Sequence, residues 1–168
     1  MKLKKISQLC NKQKAYIIYD KPTRNGDATQ WLGDGCAAYP LDGLPLLDTD
    51  SLCRMFDISK EQRDKMLIQQ TAKPDGVCMD DVGPEECKAE RMEPGIVRGG
   101  REFIPLMTRA GIVFIQKKYL APLDDEGVML EFYERRTPGG QIYIAIKTGM
   151  LCRGLVFPGE IVDDKFVH

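Results

Sequence analysis

The sequence predicts an α+β fold made of two halves, each with an antiparallel β-hairpin, joined by a short helix pair and an acidic linker. Strand formers cluster at Ala15–Tyr19 and alternate with period two at Gln141–Lys147. Asn25-Gly26 and Gly139-Gly140 supply hairpin turns after strand-forming runs. Aspartate and serine residues suited to helix N-caps lie between residues 48 and 59.

The composition is that of an ordinary globular protein. The chain has 168 residues, of which 43% are hydrophobic and 29% charged. Its net charge of −1 argues against a protein that coats nucleic acid and against a polybasic membrane binder. The single histidine, His168, leaves little basis for metal sites or catalytic triads.

The N-terminal half is predicted to span residues 1–72. It opens with a basic segment and a short helix, continues through two strands and a turn-rich connection, and ends in two helices. Asp48 or Asp50 can cap the first of these helices, and Ser59 with Gln62 forms a capping-box pattern for the second. The predicted elements are a helix at Ile6–Lys12, strands at Ala15–Tyr19 and Thr29–Tyr39, and helices at Ser51–Phe56 and from Lys60 to about Gln70.

Residues 73–100 are predicted to be an acidic linker. The segment is rich in proline and glycine, carries seven acidic residues between positions 75 and 95, and shows neither a helical nor a strand period. Such a segment is expected to join two halves and to fold on a partner.

The C-terminal half, residues 101–168, is predicted to be rich in strands. One short helix interrupts them, and a last helix is expected to begin at Asp163 or Asp164. The predicted elements are strands at Phe103–Met107, Gly111–Lys117, Val128–Glu134, Gln141–Lys147 and Met150–Phe157, and a helix at Tyr119–Asp125.

A weak internal repeat relates the two halves. Residues 1–20 laid over 115–134 pair similar side chains, and both copies then enter a hairpin turn. The alternative is that any two β-hairpins look alike. The order of elements in this repeat resembles that of a DNA sliding clamp domain, although no clamp-specific motif is present.

Two segments carry a further resemblance. Trp31–Pro40 (WLGDGCAAYP) and Tyr143–Lys147 (YIAIK) look like small uncharacterised proteins encoded by phages and prophages of Gram-positive bacteria. The resemblance implies an accessory role in the cytoplasm for a mobile element. It supplies no catalytic residue.

Several kinds of chemistry have no motif in this chain. There is no phosphate-binding glycine loop of either common type and no nucleophile elbow. The six cysteines are spread widely without a C-x-x-C pair, which predicts free thiols rather than disulfides or a zinc site. Paired acids such as Asp80-Asp81 suit solvated loops and helix starts better than a magnesium site. No cofactor and no metal are predicted.

Basic residues at turns are the candidate contact residues for nucleic acid or a protein partner. They can follow a phosphate backbone if they share one edge, whereas the simpler interpretation is solubilising charge at turns. The helix pair at residues 50–68 also resembles a helix-turn-helix, and ordinary packing is the simpler interpretation there too. The turn residues are Lys21, Arg24, Arg98, Arg101, Arg135 and Arg136, and the helix-pair residues are Lys60, Arg63 and Lys65.

The function predicted first is a non-enzymatic accessory or partner-binding module in the cytoplasm. It would bind a protein partner and would not bind a membrane, and self-association into a homo-oligomer is left open. The second hypothesis is a nucleic-acid-binding protein, either clamp-like or acting through the helix pair. The third is a metal-dependent nuclease or other enzyme.

Overall fold

The computed structural model describes residues 2–125 and 127–158. Helices and antiparallel strand hairpins follow one another along the chain, which confirms the α+β class. The elements are α1 (Leu3–Gln13), β1 (Ala15–Pro22), β2 (Ala28–Gly33), β3 (Ala37–Pro40), α2 (Thr49–Met55), α3 (Lys60–Asp64), β4 (Leu67–Ala72), β5 (Cys87–Arg91), β6 (Ile96–Arg98), β7 (Arg101–Thr108), β8 (Gly111–Gln116), a 3₁₀ helix (Lys117–Leu123), β9 (Glu131–Arg136), β10 (Ile142–Thr148) and β11 (Leu151–Val156).

One sheet contains all the described strands. Its order is β4-β1-β2-β3-β11-β10-β9-β5-β7-β6, and β8 pairs with the other side of β7. Neighbours are antiparallel except β1 and β4, which run parallel. The sheet therefore passes without a break from the N-terminal to the C-terminal half of the chain.

The centre of the sheet repeats one order of elements. A helix followed by three antiparallel strands occurs first as α1-β1-β2-β3 and again as the 3₁₀ helix followed by β9-β10-β11. The third strands of the two units, β3 and β11, pair with each other antiparallel. The six strands therefore read β1-β2-β3-β11-β10-β9, which is the order that a two-fold relation between the units produces.

The alternation of side chains along the strands divides the core into two clusters. On one face, α1 and the 3₁₀ helix cover residues such as Ile18, Leu32 and Ile144. On the other face, Trp31, Tyr143 and their neighbours form a second cluster. A loop covers both aromatic residues on this face.

Residues 73–86, here called the covering loop, supply that cover. Val77 and Met79 are buried against the second cluster, and the Cys78 N–H donates to the Tyr143 hydroxyl at 2.8 Å. The rest of the predicted linker contains β5 and β6. The expectation of a linker without regular structure is therefore wrong: the glycines and prolines of residues 73–100 mark turns inside the fold.

A buried ion network fastens the covering loop to the sheet. Arg135 on β9 donates from Nε to the Glu86 carboxylate at 2.9 Å, and from its two terminal nitrogens to the carbonyls of Cys78 and Asp81 at 3.0 and 3.2 Å. Lys147 on β10 binds the other oxygen of Glu86. The side chains of Arg135 and Lys147 are 1% and 5% exposed, so both cations depend on Glu86 for their neutralisation.

Gly83 completes this network because the guanidinium lies directly against its backbone. A Cβ at position 83 would lie 2.5 Å from Nε of Arg135. The Gly83 N–H also donates to the Glu86 carboxylate at 3.0 Å. Any larger residue at this position would push Arg135 out of the network.

Three predicted elements differ in the structure. The strand expected over Thr29–Tyr39 is split into β2 and β3 by a turn at Asp34, whose carboxylate accepts the N–H groups of Cys36 and Ala37 at 2.9 and 3.0 Å. The helix expected from Lys60 to about Gln70 ends at Asp64, because Leu67 begins β4 and pairs with β1. The strand expected from Val128 begins at Glu131.

The local capping signals are confirmed. Asp48 caps α2 and Ser59 caps α3, and in each helix the third residue returns a side-chain hydrogen bond. The helix expected to begin at Asp163 or Asp164 lies outside the described residues.

The buried ion network predicts a large loss of stability when its arginine is removed. Replacing Arg135 with alanine removes one of the two cations bound to Glu86 and leaves the carbonyls of Cys78 and Asp81 without their donor, so we expect the free energy of unfolding to fall by about 3–5 kcal/mol. Urea denaturation measures this loss. The matched control is Arg24→Ala at an exposed turn, for which we expect a change within about 0.5 kcal/mol. Equal losses for the two variants would contradict the network.

The same network predicts that acid releases the covering loop. Burial alone raises the pKa of the Glu86 carboxyl, but hydrogen bonds from Lys147, the Gly83 N–H and Arg135 lower it below its ordinary value of 4.5. The stability from ionised Glu86 is therefore present above pH 4.5 and lost as the pH falls through the lower pKa of the folded state.

Hydrogen exchange can follow this release. We expect the protection factor of the Gly83 amide to fall as the pH drops below 4.5, while the Ala145 amide in the middle of β10 stays protected. If the two amides lose protection together, the loop does not open separately from the sheet.

Candidate partner-binding groove

The sheet changes partners halfway along β5. Cys87–Ala89 pair with β9, and Glu90 and Arg91 pair with β7 on the other side. The hairpin β7–β8 therefore joins the sheet through a short stretch of β5 only. A groove lies at this junction, between β5 and the hairpin on one side and the 3₁₀ helix, Asp124 and residues 128–130 on the other.

This groove, here called the junction groove, has a volume of ≈ 1130 Å³. A volume of this size exceeds what most small molecules fill and suits a segment of another chain. Its lining combines charged side chains with aliphatic ones. The lining residues are Lys12, Lys88, Ala89, Glu90, Arg91, Gly100, Arg101, Glu102, Gln116, Lys117, Lys118, Leu120, Ala121, Asp124, Val128, Met129, Leu130, Glu131 and Phe132.

The charges of the groove are predominantly positive. Six of its lining residues are basic and four are acidic. Two of the acids are already neutralised, because Lys88 binds Glu131 at 3.3 Å and Lys117 binds Glu102 at 3.0 Å.

Two basic residues of the groove are available for a ligand. Across residues 2–125 and 127–158, Lys12 and Arg101 make no ion pair, and both side chains are exposed. A bound anionic group can engage both of them without breaking an existing ion pair.

Apolar side chains in the groove remain open to solvent. Met129 is 78% exposed and Val128 is 44% exposed, beside the buried Leu120 and Phe132. Exposed methionine is a typical component of surfaces that adapt to a partner. The loop that carries Val128 and Met129 connects the 3₁₀ helix to β9, so it lies between two fixed elements of the core.

Glu131 stays ionised at the rim of the groove. The hydroxyl of Tyr133 donates to one of its oxygens at 3.1 Å and Lys88 to the other, and these hydrogen bonds lower the pKa of the Glu131 carboxyl. The Lys88–Glu131 pair therefore persists at neutral pH and fixes the side of the groove formed by β5 and β9.

The predicted turn residues do not form one basic edge. Successive strands from β1 to β9 in the sheet are antiparallel, so β1 and β9 run in opposite directions. The turn after β1 and the turn after β9 therefore leave the sheet at opposite ends of its strands. The expectation that the two basic tips share an edge is wrong for this topological reason.

Three of the predicted contact residues serve the fold. Arg135 is 2% exposed and belongs to the buried ion network. Arg136 binds Glu134 at 3.0 Å, and Lys21 binds Asp80 of the covering loop at 2.6 Å. Arg135 is therefore unavailable for a partner, which corrects its assignment as a contact residue.

The other three predicted turn residues are exposed and lie at two different turns. Arg24 lies in the turn between β1 and β2. Arg98 and Arg101 face each other across the hairpin of β6 and β7, and Arg101 also lines the junction groove. Of the six residues, Arg101 alone lies in the groove.

The helix pair does not have the dimensions of a DNA-reading unit. Helix α3 has five residues, about 7.5 Å of helix, and none of them is buried. Arg63 is engaged with Asp50 at 2.8 Å, while Lys60 and Lys65 are exposed. A recognition helix needs a stable scaffold behind it, which α3 lacks.

The cysteines are free thiols, as predicted. Burial raises the pKa values of Cys10 and Cys152, so these two thiols are inert core residues. In the part of the chain that the structure describes, no three His, Cys, Asp or Glu side chains are placed to hold a metal ion. None of the described helices is long and apolar enough to cross a membrane.

Comparison with protein-family models, with curated proteins and with solved structures gives no match for this chain.

Most groove residues were missed by the sequence analysis. Lys117-Lys118 directly precedes the predicted helix at Tyr119 and ends a basic stretch, which is the one local signal of this surface. Lys12, Lys88 and Arg91 come from other parts of the chain and gave no signal, because they are brought together by strand pairing and by the packing of α1 against the 3₁₀ helix.

The groove geometry predicts which lysines react with an acetylating reagent. Lys88 and Lys147 are each bound to a glutamate, but their side chains are 61% and 5% exposed. We expect Lys88 to be acetylated at least about tenfold faster, since Lys147 reacts only when the covering loop opens. Mass spectrometry of a time course measures both rates. Similar rates would show that the loop does not cover Lys147.

Proposed function

We propose that this chain is a non-catalytic binding module that holds a segment of a partner protein in the junction groove. One observation carries the proposal: a groove of ≈ 1130 Å³ that combines exposed Met129 and Val128 with two exposed cations, Lys12 and Arg101. A groove with apolar and charged groups side by side can bind a peptide that carries both apolar and charged side chains.

The chemistry of the groove favours a partner segment that is acidic and apolar. Carboxylates of the partner would engage Lys12 and Arg101, and aliphatic or aromatic side chains would cover Met129 and Val128. The burial of these methyl groups supplies affinity, whereas the charges supply orientation and speed of association.

Nucleic acid fits this groove less well. Its lining includes Glu90 and Asp124 in addition to the two paired acids, and each repels a phosphate. The exposed apolar residues offer methyl groups rather than the aromatic faces on which bases stack. The turn residues that could follow a backbone are spread over both ends of the sheet.

The origin and location of the protein remain predictions. The resemblance to small proteins of phages and prophages supports an accessory role in a mobile element and a cytoplasmic location. The accessory role agrees with a module that binds another protein and carries out no chemistry of its own.

Selection from a random peptide library tests the proposal. We expect the enriched peptides to combine Asp or Glu with large apolar residues. Fluorescence anisotropy then measures the affinity of the best labelled peptide for the wild-type chain and for two groove variants. We expect Lys12→Glu combined with Arg101→Glu to weaken binding by about tenfold or more, and Met129→Ser to weaken it severalfold.

Each groove variant has a matched control outside the groove. Arg24→Glu changes the charge of an exposed turn, and Met150→Ser removes a methionine that is 78% exposed, as Met129 is. Neither control should alter affinity. Enrichment of basic peptides, or equal effects of groove and control variants, overturns the proposal.

A labelled single-stranded DNA tests the alternative in the same assay. Binding of the DNA that falls steeply with salt and is lost in the Lys12→Glu, Arg101→Glu variant, without peptide binding, would identify the groove as a nucleic-acid site.

A further inference from the structure

The strand β4 forms one end of the sheet and has no neighbour on its outer side. It pairs with β1 alone, in parallel. No residue of β4 is buried, and Leu67 at its start is 51% exposed. No second strand in residues 2–125 and 127–158 pairs with this edge. The edge lies at the far end of the strand order from the junction groove, so the two surfaces are independent.

The pairing with β1 fixes which backbone groups face outward. At the two ends of the pair, the Leu67 N–H donates to the Lys14 carbonyl and the Lys73 N–H donates to the Asp20 carbonyl. The odd-numbered residues of β4 therefore form the backbone hydrogen bonds to β1. In a parallel pair the intervening residues turn their N–H and C=O groups the other way. Ile68, Gln70 and Ala72 therefore present these groups at the open edge.

The edge lacks the features that usually prevent strand pairing. The sequence Leu-Ile-Gln-Gln-Thr-Ala contains no charge and no proline, and its pairing with β1 shows no bulge. Edge strands of stable monomers carry such protective features, because an open edge pairs readily with another strand. Six uncharged residues with exposed backbone groups form a surface suited to strand addition.

We propose that β4 pairs antiparallel with β4 of a second copy of this chain, which joins the two sheets across a two-fold axis. The axis passes beside Gln70, so that Gln70 of each copy faces Gln70 of the other. Ile68 then faces Ala72 of the second copy on both sides of the axis. This register is the one in which all three outward-facing residues find an outward-facing partner within the strand.

The sequence of the edge is complementary to itself in this register. An axis at Ala72 would bring Gln70 opposite Pro74, which has no N–H to donate. With the axis at Gln70, the end of the edge that carries exposed Lys65 lies beside the end that carries exposed Asp75 of the second copy. Opposite charges thus meet at both ends of an uncharged centre, which favours a second copy over an unrelated strand.

Sedimentation of the intact chain tests the dimer. We expect the 19.0 kDa chain to sediment with twice its mass. Gln70→Pro removes an outward N–H from each copy and should weaken the dimer about tenfold or more. Gln70→Ala is the matched control: it removes only the side-chain hydrogen bond to Asp20 and should leave the dimer intact. A wild-type chain that remains monomeric at every concentration overturns the proposal.

Cysteine cross-linking tests the register. Residues that face each other in a hydrogen-bonded antiparallel pair have Cα atoms about 5.5 Å apart, within the span of a disulfide. We therefore expect Gln70→Cys to form a covalent dimer on mild oxidation. Gln69→Cys should not, because residue 69 faces Thr71 of the second copy and the two introduced cysteines are too far apart. The wild-type chain under the same oxidant gives the background from its six native cysteines.

Two results would overturn the proposal even if a dimer exists. A dimer that survives Gln70→Pro uses another surface, such as two copies of the uncharged edge strand β8 paired with each other. Equal cross-linking through positions 69 and 70 would show that the strands do not meet in the two-fold register. Peptide binding in the junction groove is unaffected by either result.

Discussion

The binding of Glu86 to two buried cations is the interaction on which the rest of the structure depends. Arg135 and Lys147 project from the face of the sheet that the covering loop covers. Glu86 neutralises both, and the arginine also binds two carbonyls of the covering loop. The loop is thereby held over Trp31 and Tyr143, which would otherwise be exposed. A chain without this carboxylate would lose one of its two clusters.

The two proposed binding surfaces lie at the two ends of the sheet. Helices cover one face and the covering loop covers the other, so partners have access to the ends. At one end, the change of partners along β5 produces the junction groove with its cations and exposed methionine. At the other end, β4 presents uncharged backbone. A binding module with a separate site for self-association is consistent with both.

The neighbouring residues Arg135 and Arg136 show how far the sequence could predict the site. They follow a strand-forming run and precede a tight turn, so both were assigned to an exposed basic tip. Because side chains alternate across a strand, they point to opposite faces of β9: one binds Glu86, and the other binds Glu134 near the surface. Which face is covered depends on the covering loop, about 50 residues earlier in the chain.

The sequence by itself determined the features that depend on neighbouring residues. These are the α+β class, the hairpin turns, the caps of α2 and α3 and the free cysteines. Only the tertiary structure decided that residues 73–100 contain two strands and several buried side chains, that the turns after β1 and β9 lie at opposite ends and that Lys12 and Arg101 line one groove. Caps and turns arise from hydrogen bonds within a few residues, whereas sheet order and burial follow from pairing between distant segments.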